Sequence, residues 1–156
     1  MATSNLQKEI GKRKPFEAPE QEAALNLERT QDLLSREFDQ LFQRHRISSP
    51  QYNVLRILRG HGGEGLPCRR IAAEMVTFDP DVTRLVDRLE RAGLVARRRT
   101  PDDRRVVLVK ITPAGLTLLK SLDQPVLDLH RRQLGHLTRA ELTELNRLLV
   151  KARRRE

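Results

Sequence analysis

The sequence predicts a mainly α-helical fold interrupted by one small β-hairpin. Three observations carry that prediction. Leucine-rich stripes at helical spacing run through most of the chain, prolines follow capping side chains where several stripes begin, and two short β-rich segments flank a Pro/Asp turn. Of the 156 residues 38% are hydrophobic, yet there are four Phe, one Tyr and no Trp, so the core rests on Leu, Val, Ile and Ala. That composition favours packed helices over an aromatic-rich sandwich, and the length suits one domain with one core.

Residues 1–19 hold Lys8, Lys12, Arg13 and Lys14 between few apolar groups, and read as a mobile basic arm, solvated or able to touch phosphate. From 20 to 46 the pattern is helical: Ala24, Leu27, Leu34, Phe38, Leu41 and Phe42 lie along one stripe. A stripe this long must cover another surface, in its own subunit or in a second copy. Ser48-Ser49-Pro50 then starts a helix over 50–59, with Tyr52, Val54, Leu55, Ile57 and Leu58 turned to a core. The glycines of His61-Gly62-Gly63-Glu64-Gly65 end it.

A third helix is expected over 67–76, with Ile71, Ala72 and Met75 inward. A short break leads to Asp79, a capping residue, and to a fourth helix over 80–92 that Gly93 closes in a left-handed conformation. Leu94–Arg99 and Arg105–Ile111 are strand-like and flank the turn Thr100–Arg104. Thr112 and Pro113 open a long leucine-rich helix with Pro125 as a point where its axis can bend, and Thr138 with Glu141 has the spacing of a capping box for the last one. Leu142, Leu145, Leu148 and Leu149 furnish its stripe, and 153–156 is a terminal tail.

Lys and Arg total 30 against 21 Asp and Glu, a formal charge of +9. A basic surface suits nucleic-acid phosphates, although charge alone suits an anionic membrane or an acidic protein equally well. The single cysteine, Cys68, excludes an intrachain disulfide and a multi-cysteine metal site, and is expected to be a buried or incidental thiol. No apolar run is long enough to cross a bilayer and the N-terminus lacks a signal-peptide core, so a cytoplasmic protein without a membrane partner is expected. The four histidines form no compact metal motif, and neither a glycine-rich nucleotide loop nor a Ser/His/Asp arrangement is evident. The expectation is no metal, no cofactor and no enzymatic activity.

The informative stretch is 66–111: helix, turn, helix, hairpin. Val82, Leu85, Val86 and Leu89 form an inward stripe, leaving Asp81, Arg84, Asp87, Arg88 and Arg91 on the opposite face. Arg84 and Arg88, four apart, point in similar directions and can meet phosphates or the O6/N7 edge of guanine in the major groove. The acidic residues oppose DNA unless paired, and Asp87 has Arg84 and Arg91 within reach on its own helix. Arg97-Arg98-Arg99 and Arg104-Arg105 flank the hairpin turn beside this helix. Asp103, two residues before Arg105, can orient its guanidinium if the turn brings the side chains together.

These segments together resemble the multiple-antibiotic-resistance-regulator, or MarR, family. The resemblance rests on Ser49–Leu58 (SPQYNVLRIL), Val82–Glu90 (VTRLVDRLE) and Gly93-Leu94-Val95, and continues through Arg98, Pro101, Asp103-Arg104-Arg105, Val109, Ile111-Thr112 and Gly115, in the family's order and spacing. Looser similarity spans 20–152. It implies a winged helix-turn-helix lobe over 48–111, and a homodimer joined through N- and C-terminal dimerisation helices at 20–46 and 112–152. It further implies a DNA-binding transcriptional regulator, usually a repressor, acting on an inverted-repeat operator in double-stranded DNA. By the same resemblance Thr83, Arg84 and Arg88 fall on or near the DNA-facing helix, with Asp81 at its entrance. Arg98 belongs to the wing, Arg105 matches its minor-groove arginine, Asp103 the acidic residue that positions it, and Arg104 a phosphate or wing-tip contact. Asp79 and Asp81 depart from the small hydroxyl or basic residues common at that entrance. Relatives that respond to small aromatic ligands make Phe38, Phe42, Tyr52 and Leu55 candidate neighbours of an effector pocket, with ordinary core packing as their other role.

Overall fold

A computed structural model of the chain describes residues 5–79, 81–100, 103 and 105–154. Along them run α1 (Asn5–Glu9), α2 (Pro19–Gln43), α3 (Ser49–Gly60), α4 (Cys68–Glu74), α5 (Val82–Arg91), β1 (Val95–Arg99), β2 (Val107–Ile111), α6 (Pro113–Leu134) and α7 (Arg139–Arg153). Helices, a central hairpin and helices again is the order the sequence predicts.

The chain divides into two units, Met1–Leu41 and Phe42–Glu156. In the first, the stretch expected to be a mobile arm contains α1. Leu6 is 2% exposed, the Gln7 side-chain amide donates to the Lys12 carbonyl at 3.1 Å, and Glu9 pairs with Arg29 of α2 at 2.9 Å. A side chain closing on its own backbone and one ion pair shape this segment. Its composition, poor in apolar residues, carries no trace of them.

In the second unit α3 begins with a full capping box: Ser48 Oγ accepts the Gln51 N–H, and Gln51 Oε1 accepts the Ser48 N–H. Past its end at His61, Gly62, Gly63 and Gly65 take φ of 65°, 85° and 87°, a region closed to most other residues. Leu55 and Leu58 of α3, Ile71 of α4, Val86 and Leu89 of α5, Val109 of β2 and Leu119 of α6 form one core. Each such side chain contributes about 2 kcal/mol by leaving water.

Gly93, with φ 72°, turns the chain from α5 into β1, which pairs antiparallel with β2 in the register Val95↔Ile111 to Arg99↔Val107. Leu66 adds a bridge on the other side of β2, exchanging both backbone hydrogen bonds with Val109 at 2.9 and 2.8 Å. A single-residue bridge has no alternation for a sequence pattern to display.

Thr112 caps α6 by accepting the Gly115 N–H at 3.2 Å and donates its own hydroxyl to the Gly93 carbonyl at 2.7 Å. Pro125 lies within α6, and Thr138 with Glu141 forms the expected capping box of α7. Arg59 of α3 grips Asp123 of α6 with two hydrogen bonds of 2.9 and 2.7 Å.

Candidate nucleic-acid interface

Helix α5 has the two faces its spacing predicts: Val82, Leu85, Val86 and Leu89 are buried, and Thr83, Arg84 and Arg88 are exposed. The helix is shorter than the expected 80–92. Its cap is Asp81, not Asp79, because Asp81 Oδ1 accepts the Arg84 N–H at 3.0 Å. Asp79 supports the cap from one step back, its carboxylate accepting the Asp81 N–H at 2.8 Å. Pro80, expected in the first turn, lies outside the described residues.

The carboxylate of Asp81 also lies 3.0 Å from the Arg84 guanidinium, whose side chain is 78% exposed. An ion pair this open to water is weak and exchanges readily for a stronger anion. Arg88, one turn on, has no carboxylate partner among the described residues. Asp81 therefore serves the helix end and its neighbouring arginine.

Asp87 does not pair along its own helix. Its carboxylate meets Arg97 of β1 at 2.6 Å, and the same guanidinium meets Glu90 at 2.6 Å. The Arg97 backbone N–H donates to Glu90 as well, at 3.1 Å. Partial burial works against the Arg97 charge, but the hydrogen bonds to Asp87 and Glu90 outweigh it and raise the guanidinium pKa above its ordinary value. Two acidic groups that would repel DNA thus share one guanidinium from the strand that begins the hairpin, which offsets part of their charge. The sequence does hold a signal for this clamp: two carboxylates three apart on α5, followed by an arginine just beyond the Gly93 turn.

Arg98 is exposed and opposite Leu108 in the register, its side chain on the other face of β1 from Arg97. At the hairpin tip Thr100 Oγ1 donates to the Asp103 carbonyl at 2.6 Å and accepts the Asp103 N–H at 3.3 Å. The Asp103 carboxylate accepts the backbone N–H of Arg105 at 2.9 Å. Asp103 therefore holds Arg105 by its main chain, while the Arg105 guanidinium extends from an exposed residue without a carboxylate partner among the described residues. Arg104, the other tip arginine, lies outside the described residues.

The four candidate pocket residues differ in their surroundings. Phe42 is 3% exposed and stacks on Tyr52, ring centroids 4.4 Å apart, and Leu55 is fully buried in the core. Phe38 belongs to the other unit. Tyr52 alone lines an open groove of about 630 Å³ between α3 and α6, with Asn53, Arg56, Asp123 and His130 along it. Its hydroxyl is buried and unpaired among the described residues. Cys68 is half-buried, and no group of three or more His, Cys, Asp or Glu among the described residues is placed to hold a metal ion. Nor is any helix of the described residues long and apolar enough to cross a membrane.

Residues 47–107 match the family model described as the MarR family. The crystal structure of a MarR transcription factor from Planctomyces limnophilus is 48% identical, covers 86% of this chain and 97% of that one, and superposes with a TM-score of 0.68. Bordetella bronchiseptica BpsR, whose DNA binding is regulated by 6-hydroxynicotinic acid, is 26% identical over 92% of this chain and all of its own, at a TM-score of 0.78. Among curated relatives, the transcriptional repressor IacR of Pseudomonas putida is 28% identical over 79% of this chain and 72% of its own length. A capped helix with exposed arginines, a hairpin clamped beside it, and likeness to these proteins through most of the chain lead to one assignment: the protein belongs to the MarR family of winged helix-turn-helix, sequence-specific DNA-binding regulators.

Proposed function

We propose that the chain acts as a homodimer that occupies an inverted-repeat operator in double-stranded DNA and represses transcription by occluding a promoter. The observation that carries this reading is the exposed Arg84/Arg88 face of α5, held beside the hairpin by Arg97. Thr83, Arg84 and Arg88 enter the major groove. Arg105 and Arg98 serve the wing, Arg105 in the minor groove, with Arg104 at the tip. Asp81 and Asp103 position their neighbouring arginines. Two-fold pairing is supported by α7, none of whose described residues is buried and whose Leu148 is 48% exposed, and by Leu27 and Leu33 of α2, which are 46% and 53% exposed. Such faces need cover. A two-fold dimer would present equal readers to two half-sites.

A small aromatic compound releases the DNA in this reading, by favouring a dimer whose lobes no longer match the half-site spacing. The α3–α6 groove supports it, since Tyr52 lines it together with Arg56 and His130. The BpsR relative supports the ligand class. The test is selection of duplexes from a random library, followed by footprinting and titration with hydroxylated aromatic acids. Protection of a symmetric site, lost on titration, is the expected result. Binding without sequence preference, or protection of a single half-site by a monomer, would overturn the reading.

A further inference from the structure

We propose that Phe78 is a specificity-determining residue that selects thymine in the operator by contact with its C5 methyl group. The inference rests on the reading of α5 as the helix that enters the major groove. Phe78 lies in the turn between α4 and α5 and is 92% exposed, the barest large apolar side chain among the described residues. Val76, 86% exposed in the same turn, differs in lining the α3–α6 groove beside Tyr52 and Val126.

The turn is fixed on both sides of Phe78. The Val76 N–H donates to the Asn53 side chain at 2.8 Å, and the Asp81 N–H donates to Asp79 at 2.8 Å. Phe78 stands three residues before the cap of α5, so the chain places its Cα within about 11 Å of Asp81, less than the roughly 12 Å width of the major groove. The N-terminal end of a recognition helix is the end that meets base edges. When Arg84 lies there, Phe78 is within reach of the same groove.

Its chemistry then narrows the target. A phenyl ring neither donates nor accepts a hydrogen bond, so it gains nothing from a phosphate or from the polar edges of guanine, adenine or cytosine. The thymine methyl is the apolar group that the major groove presents. The acidic residues around Phe78 are turned to the chain itself, Asp79 accepting the Asp81 N–H and Asp81 the Arg84 N–H.

The experiment uses the full chain, wild type and Phe78→Ala, with a duplex selected by the wild type from a random library. Each thymine of that duplex is replaced in turn by uracil, which removes only the methyl. The wild type should lose about fourfold in affinity at one position of the site for the methyl removed, the effect of one buried methyl-sized group. Phe78→Ala should bind the unmodified duplex correspondingly more weakly and show no further loss at that position, with its thermal midpoint unchanged because the side chain is exposed. Equal uracil sensitivity in both proteins overturns the proposal, as does a change in subunit association in the variant, which would assign Phe78 to a contact between copies. Failure to enrich any duplex overturns the parent reading together with it, and so is told apart from failure of Phe78 alone.

Discussion

Arg97 and Asp87 sit ten residues apart on different elements, with guanidinium and carboxylate 2.6 Å from each other. With Glu90 as the second acceptor, this contact ties the first strand of the hairpin to α5.

Replacing Arg97 by Ala should therefore affect DNA binding more than folding. Asp87 and Glu90 stay 39% and 40% exposed, so the stability loss is about 1 kcal/mol by urea denaturation. Affinity for the selected duplex should fall about tenfold, equivalent to 1.4 kcal/mol, as hairpin and helix lose their common alignment. Asp87→Ala combined with Arg97→Ala should cost less than the two losses added. Strict additivity would show that the clamp does not couple them.

Arg84→Ala should cost about 1–3 kcal/mol on the preferred sequence and far less on random DNA, as expected of a base contact. Equal losses on both, with the salt slope reduced by about 1, would assign Arg84 to the phosphates. Arg105→Ala should weaken binding while leaving the thermal midpoint and the subunit association unchanged. A loss of folding would make Arg105 a structural residue.

Gly115→Ala tests the packing that joins the sheet to α6. A Cβ there would lie 2.4 Å from the Leu94 carbonyl oxygen and 2.7 Å from Ile111 Cγ1, and the first of these is backbone that cannot swing away. The expected cost is about 1–3 kcal/mol, seen as a thermal midpoint lower by roughly 2–4 °C per kcal/mol. An unchanged midpoint would mean that α6 does not approach β2 this closely.

The brace between α3 and α6 should respond to acid. The Arg59 hydrogen bond holds the Asp123 carboxyl below its ordinary value of 3.8 despite some desolvation, with lesser help from the Arg59 and Arg56 charges. A depressed carboxylate pKa contributes stability in full above the unfolded value and loses it as pH falls through the folded one. The contribution is thus complete at pH 7, begins to fall at about pH 4 and is lost as pH drops through the depressed folded value. Asp123→Asn should lower the urea midpoint at pH 7 by more than it does at pH 3. An equal deficit at both values would exclude the ion pair as the cause.

How far the sequence discloses these features depends on the range of the interaction. The buried stripe of α5, the cap at Thr112 and the Thr138/Glu141 box all act within one helical turn, so residue spacing contains them. The Arg97 clamp reaches from strand to helix, and local spacing points Asp87 to Arg84 or Arg91 instead. Asp103 meets a backbone N–H two residues away, and sequence patterns read side chains more readily than main chain. Phe42 and Leu55 are apolar in a pocket and in a core alike, and only packing separates the two roles.

The Leu66–Val109 bridge has a mechanical consequence. It ties the segment just ahead of α4 to the middle of β2, while Gly65 lies so close to Lys110 that a Cβ there would sit 2.7 Å from its side chain. With Arg97 fastening β1 to α5, the described strands of the hairpin are each tied to the body of the lobe. In the proposed DNA complex, a displacement of α5 would therefore carry both strands along with it, so that helix and hairpin would leave the duplex together.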